Sequence, residues 1–169
     1  FSSKQVPDHA SSGWEKYNNP DSLTFTSNFA DETNVIKIKE NSTTWMGIKS
    51  KAATLDASKT YDVTILIYVI SSGTGTEALL DNIQVKWNTG VVNNTLNNTA
   101  LAVGRWIKLS RGGNVDNGTS HQHLQCYVKN GAEIAISYFT SELSNRLILK
   151  DLRGIGNGIS PNGSGISTT

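Results

Sequence analysis

The sequence predicts an all-β fold, namely an antiparallel β-sandwich of jelly-roll type. The strongest observation is segment 59–71, where Val63, Ile65, Ile67 and Val69 recur at every second position, as in a long β-strand. Roughly nine or ten strand-like segments of this kind succeed one another with turn residues between them, and none has the period of an amphipathic helix. Ser, Thr, Asn and Gly are plentiful and charged residues make up 17% of the chain, which is typical of a turn-rich β protein.

The predicted strands are separated by clusters of turn-forming residues. Asn19, Pro20 and Asp21 form the first turn, and an Asn-rich loop is expected at residues 88–98. Residues 52–59 are the helix candidate, but the segment is too short and too polar to contribute a helix to the core. The strands are predicted at residues 23–26, 34–39, 45–51, 59–71, 79–87, 105–110, 121–129, 134–140 and 146–152.

Alternation along the strands separates a core face from an outer face. The second face of the long strand becomes apolar at Leu66, Tyr68 and Ile70, so we expect a ligand or a sister subunit to cover it. The predicted shared core consists of Ile36, Ile38, Val63, Ile65, Ile67, Ile83, Val85, Ile107, Leu109, Leu124, Cys126 and Val128.

Length and composition predict one binding domain with polar ends. Residues 1–12 are expected to form a leading arm, residues 13–154 the β-sandwich, and residues 155–169 a Gly-rich flexible tail. A formal charge of +1 without a basic patch argues against nucleic-acid binding, and no apolar run is long enough to span a membrane. Cys126 is the single cysteine, so an internal disulfide is excluded and a small buried side chain is expected.

The sequence contains no recognisable catalytic arrangement. Glu133, Glu142, Asp81 and Asp116 stand singly, whereas glycoside hydrolysis requires two carboxylates across a cleft. There is no Gly-x-Ser-x-Gly elbow and no phosphate-binding Gly-rich loop. We therefore expect this domain not to be an enzyme.

Several segments resemble one family of binding domains. They are the opening Gly13 and Trp14, the segments 35–38 and 47–50, the stretch 55–63, the Trp106 strand at 104–110, and the closing strand 147–152. In this order they are similar to the β-jelly-roll carbohydrate-binding modules of glycan-degrading enzymes and of bacteriophage tail fibres and tailspikes. The resemblance covers about residues 13–154, and it implies that Trp14 and Trp106 pack in the core.

The resemblance implies a carbohydrate-binding function. The Asn-rich loop, the Gly-rich tail and the polar arm favour the receptor-binding domain of a phage tail fibre or tailspike, which would be a homotrimer of the virion that recognises a host-surface polysaccharide. The alternative is a carbohydrate-binding module of a secreted, extracellular glycan-degrading enzyme.

The candidate sugar-binding residues are aromatic and amide side chains near strand ends. Sugars stack their C–H bonds on aromatic rings, while amides bind their hydroxyl groups. His123, Gln125, Tyr127 and Lys129 alternate with the core positions of their strand, so they share its outer face. The predicted carbohydrate site consists of Trp45, Trp87, His123, Gln125 and Tyr127. An ordinary polar sheet face or a subunit contact remains the alternative for this strand.

The sequence contains two candidate metal sites. His121 and His123 lie on one face of a strand, where three copies in a threefold assembly would surround an octahedral ion; two surface histidines are the simpler interpretation. Asp151 resembles the aspartate with which related modules hold a structural calcium ion. No other cofactor is expected.

Overall fold

The chain folds into two packed antiparallel sheets of five strands each. The structure is a computed structural model, which describes residues 14–50, 60–88, 93–96, 100–114 and 123–143. Sheet A has the strand order β1-β4-β9-β6-β7 and sheet B the order β2-β3-β10-β5-β8. The elements are β1 (Trp14–Tyr17), β2 (Ser22–Phe29), β3 (Glu32–Glu40), β4 (Met46–Ser50), β5 (Thr60–Ser72), α1 (Ala78–Asp81), β6 (Ile83–Asn88), β7 (Asn93–Thr95), β8 (Trp106–Asn114), β9 (His123–Val128) and β10 (Ala132–Leu143). The predicted antiparallel β-sandwich is confirmed.

The hydrophobic core lies between the two sheets, as the alternation in the sequence requires. On β5 every second residue from Tyr61 to Val69 is buried, and on sheet A the inward row Ile48, Cys126 and Val85 has no exposed surface. Ile107 is half-buried against the core, while the side chain of Leu124 is outside the described part of the structure. The remaining predicted core residues are buried, namely Ile36, Ile38, Val63, Ile65, Ile67, Ile83, Val85, Leu109, Cys126 and Val128.

Three local predictions differ from the structure. The strand predicted at 79–87 begins only at Ile83, because Ala78–Asp81 forms a helical turn, for which Ala and Leu have high propensity. The predicted loop 88–98 contains β7, which pairs with β6 and is followed by the fully buried Leu96. The first strand is predicted at residues 23–26, but Trp14–Tyr17 already forms an edge strand that pairs with β4. The predicted strand 146–152, the segment 52–59 and both chain ends lie outside the described residues.

An aromatic cluster covers part of the outer face of sheet B. The rings of Phe29 and Tyr68 meet edge to face with centroids 5.1 Å apart, and those of Tyr68 and Trp106 are 5.4 Å apart. Trp106 Nε1 donates a hydrogen bond of 2.6 Å to the Ala30 carbonyl oxygen at the tip of the β2–β3 hairpin. Trp106 is therefore half-buried on the outer face of sheet B, not in the core as the resemblance implied. Because Tyr68 is covered by rings of its own chain, its burial does not require a sister subunit.

A buried amide network ties the loops at one end of the sandwich together. Asn82 is fully buried, and its Nδ2 donates to the carbonyl oxygens of Ser72 at 3.0 Å and Thr74 at 2.7 Å. Its Oδ1 accepts a hydrogen bond of 2.8 Å from Asn130 Nδ2, and its carbonyl oxygen accepts one from the Lys129 N–H. The network therefore positions the chain where it leaves β9, next to the site described below.

Candidate functional site

The outer face of sheet A carries a polar and aromatic surface built from adjacent strands. Opposite residues of an antiparallel pair point to the same face, so the pairing defines rows of side chains across the sheet. One row contains Tyr17, Gly47, Tyr127 and Gln84. The next row contains Lys49, Gln125 and Lys86, and the backbone of Glu15 and of Thr95 pairs at its two ends. We call this surface the sheet A face.

Tyr17 and Tyr127 form a stacked pair on the sheet A face, above β4. Their ring centroids are 4.3 Å apart with an interplanar angle of 18°. The pairing places Gly47 between them, and a Cβ atom there would clash with the Cys126 carbonyl oxygen and lie 3.0 Å from Tyr127 Cα. A glycine in a strand marks such a close backbone approach, and here its missing side chain lets the two rings meet above it. Tyr127 is 5% exposed and Tyr17 is 36% exposed, so Tyr17 presents the outward ring surface.

A second aromatic group lies directly beyond this pair. Trp45 precedes β4 and Lys129 follows β9, just past the paired residues Met46 and Val128. The Lys129 ammonium lies 4.4 Å from the centroid of the Trp45 ring, a favourable cation–π contact. Asn18 Nδ2 donates a hydrogen bond of 3.0 Å to the Trp45 carbonyl oxygen and links the end of β1 to this position. Trp45 is half-buried, with one ring face occupied by the ammonium group.

The predicted site residues are divided between this surface and other places. Trp45, Gln125 and Tyr127 lie on the sheet A face. His123 pairs with Asn88, and this pairing places His123 at the far end of the sheet A face. The side chain of His123 is outside the described part of the structure, as are His121 and Asp151. Trp87 is 3% exposed and packs in the core, so it presents no ring to a ligand. Burial also makes Tyr127 a support for Tyr17 rather than the contact surface itself.

Tyr17 is the functional candidate that sequence reasoning missed. Trp14–Tyr17 is a short edge strand, and a run of this length shows no recognisable alternation in the sequence. The available signal was Gly47 within the predicted strand 45–51, since a glycine there indicates that another group approaches the backbone.

Three ionisable side chains of the described residues have structural roles, namely Glu40, Glu133 and Cys126. Glu40 is 1% exposed, and its carboxylate accepts hydrogen bonds from the N–H groups of Asp21 and Ser42. Glu133 forms an ion pair with Lys37. Burial raises the pKa of the Cys126 thiol and keeps it protonated. Cys126 is the buried side chain that the sequence predicted.

The described residues were compared with the requirements of a metal-ligand cluster and of a membrane-spanning helix. Among them, no three His, Cys, Asp or Glu side chains are grouped as ligands for a metal ion. The buried Glu40 carboxylate is satisfied by N–H donors rather than by a cation. Within the same residues, none of the helical structure has the length and apolar character needed to cross a bilayer.

A groove of about 440 Å³ lies apart from the sheet A face, beside α1. Leu79, Leu80 and Leu101 give it an apolar lining, and Glu77 is the ionisable residue on its wall. None of the predicted site residues contributes to this groove.

Comparison with known proteins identifies the fold. No family model matches the sequence, and no curated protein matches it. The xylan-binding domain CBM22-1 of Xyn10C from Paenibacillus barcinonensis matches the structure with a TM-score of 0.56 at 14% identity, covering 79% of this chain and 86% of that domain. The CBM22-1–GH10 modules of xylanase 10B from Clostridium thermocellum match with a TM-score of 0.56 at 16% identity, over 78% of this chain and 26% of that one. The enzymatically active domain of tailspike protein 4 from bacteriophage CBA120 matches with a TM-score of 0.58 at 8% identity, over 85% of this chain and 21% of that one.

These matches show a β-sandwich of the carbohydrate-binding-module type, as the resemblance predicted. The chain spans about a quarter or less of the two larger proteins, so it corresponds to one domain within each of them.

Proposed function

We propose that this chain is a non-catalytic carbohydrate-binding domain and that the sheet A face is its binding surface. The observation that carries the proposal is the stacked pair Tyr17 and Tyr127 above Gly47, beside Trp45. The xylan-binding module among the structural neighbours supports the same function.

The pair provides a platform of the kind that sugars bind. A pyranose ring places its axial C–H bonds against an aromatic face, and that contact is strongest when the aromatic ring is already held in place. Tyr17 is held by its contact with Tyr127 at 4.3 Å and keeps its outer surface open. Gln84 and Gln125 are half-buried in the same and the next row, where their amides would hydrogen-bond to hydroxyl groups of the sugar.

Non-catalytic binding is also supported by the roles of the carboxylates. Glu40 and Asp21 accept hydrogen bonds from backbone N–H groups, and Glu32 accepts one from Ser137. Each of these acids already stabilises the fold, whereas glycoside hydrolysis requires two carboxylates directed at the substrate.

The biological setting that we propose is host attachment by a bacteriophage tail fibre or tailspike. The likeness to a tailspike domain supports this setting, and the domain would then belong to a homotrimer in the virion that binds a polysaccharide of the host surface. The xylanase modules support the alternative, a binding module of a secreted glycan-degrading enzyme. The molar mass in solution discriminates the two, since a trimer favours the fibre and a monomer favours the enzyme module.

Tyr17→Ala tests the binding surface. We expect micromolar-to-millimolar affinity for a glycan found on a glycan array, and a loss of about 10-fold or more in Tyr17→Ala because the stacking surface is removed. Phe25→Ala is the matched control, since Phe25 is 44% exposed and belongs to sheet B. Tyr127 and Trp87 are less suitable targets because their burial would make substitution reduce stability together with binding.

Equal binding by Tyr17→Ala and the unmodified protein would refute the sheet A face as the binding surface. Thermal melts of both variants serve to show that the folded fraction is unchanged.

A further inference from the structure

Lysine residues lie on both sides of the aromatic pair on the sheet A face. Lys129 lies beyond the row of Tyr17 and Tyr127 in one direction, and Lys86 lies in the next row in the other direction. Lys86 is opposite Gln125, four residues from Lys129 along the chain, so the two lysine positions are roughly 13 Å apart along the strands. A sugar chain that lies along the row from Tyr17 to Gln84 would therefore pass between the two lysine positions.

The position of Lys129 favours a negatively charged ligand. Its ammonium already occupies one face of the Trp45 ring at 4.4 Å from the centroid. A neutral sugar that stacked on this face would have to displace the ammonium group and lose the cation–π contact. A carboxylate or sulfate group would instead pair with the ammonium where it lies, with both contacts retained.

Among the described positions of this face, acidic residues compensate only part of the positive charge. Glu15 is the acidic residue among its paired strand positions, and it is opposite Lys49. Lys49 thus has an acidic residue opposite it in the pairing, whereas Lys86 is opposite Gln125 and Lys129 follows the end of β9. On sheet B the situation differs, because Glu133 is opposite Lys39 and lies 3.7 Å from the ammonium of Lys37.

We infer that the sheet A face selects an anionic polysaccharide, one whose sugar residues carry carboxylate or sulfate groups that Lys86 and Lys129 bind on either side of the row from Tyr17 to Gln84. This inference rests on the proposed function. It adds a charge requirement to a surface whose stacking platform alone would accept neutral sugars.

Affinity electrophoresis in native gels tests the inference with defined polymers. Binding to polygalacturonate is compared with binding to its methyl ester, which lacks the carboxylate charge. Binding to dextran sulfate is compared with binding to dextran, which lacks the sulfate groups. Xylan is a second neutral polymer. The variants are Lys86→Gln, Lys129→Gln and Tyr17→Ala. Lys108→Gln removes the same charge from an exposed position on sheet B and is the matched control.

We expect an acidic polymer to retard the protein more than its neutral form does. Each of Lys86→Gln and Lys129→Gln should reduce the affinity for the acidic polymer roughly 2- to 5-fold, and Lys108→Gln should leave it unchanged. Tyr17→Ala should also reduce the affinity for the acidic polymer. Retardation by neutral polymers should not fall in Lys129→Gln, because that change uncovers the Trp45 ring. The response to carboxylate or to sulfate identifies the acidic group.

The opposite outcomes separate the inference from the proposed function. Equal retardation by acidic and neutral polymers, lost in Tyr17→Ala but not in the lysine variants, would overturn the charge requirement and leave carbohydrate binding intact. If retardation by the acidic polymers falls as much in Lys108→Gln as in the other two lysine variants, or is unchanged in Tyr17→Ala, the attraction is non-specific and the inference is overturned. No retardation by any of the polymers would overturn the inference for the acidic groups tested, while the glycan array remains the test of carbohydrate binding itself.

Discussion

Asn82 offers a direct test of how the loops beside the sheet A face are held. Asn82→Ala removes three hydrogen bonds, those to the carbonyl oxygens of Ser72 and Thr74 and that from Asn130. Each hydrogen bond contributes about 0.5–1.5 kcal/mol, and in the variant the Thr74 carbonyl oxygen can bind water instead. The expected loss of unfolding free energy is therefore about 2–3 kcal/mol. For a domain of this size the melting temperature should fall by roughly 5–10 °C.

Asn82→Asp adds a pH-dependent test at the same position. The shape is kept, but a carboxylate cannot donate to the two carbonyl oxygens, so the cost at neutral pH should exceed that of Asn82→Ala. Burial among these acceptors raises the pKa of the introduced carboxyl group above its unfolded value of about 3.9. The stability of the variant relative to the unmodified protein is therefore highest below about pH 4 and falls as the pH rises.

Urea denaturation followed by tryptophan fluorescence at several pH values measures both effects. Asn19→Ala, which changes an exposed amide, should shift the unfolding free energy by less than about 0.5 kcal/mol. A cost below about 1 kcal/mol for Asn82→Ala, or a pH-independent cost for Asn82→Asp, would refute the network as the element that holds these loops.

Two further predictions concern the core. Ile65→Ala should cost about 2–5 kcal/mol in urea denaturation because Ile65 is fully buried between the sheets, and a negligible change would contradict the core assignment. Cys126 should resist a thiol reagent in the native protein and react on unfolding. Because burial raises its pKa, the unfolded state alone releases the thiol proton above about pH 8.5, and stability should fall by about 1.4 kcal/mol per pH unit there. Cys126→Ala should lack this slope, and a native protein that reacts as fast as a free thiol would contradict the burial.

The sequence by itself determined the fold class and most of the core. Alternation along β5 assigned Val63, Ile65, Ile67 and Val69 to the core because a strand has a side-chain period of two, a local property that needs no knowledge of its neighbours. The same rule placed Gln125 and Tyr127 on one face of β9, opposite Cys126 and Val128.

The tertiary structure decided which side chains of that face are exposed. Whether Tyr127 faces solvent depends on Tyr17, which is far away in sequence and reaches it only because β1 and β9 both pair with β4. Trp87 lies one residue before the end of β6, on the same face as Ile83 and Val85, and the packing of the two sheets covers its ring there. Exposure is a property of the assembled sheets and of the side chains that cover them, so a pattern of single residues determines the face but not the contact surface.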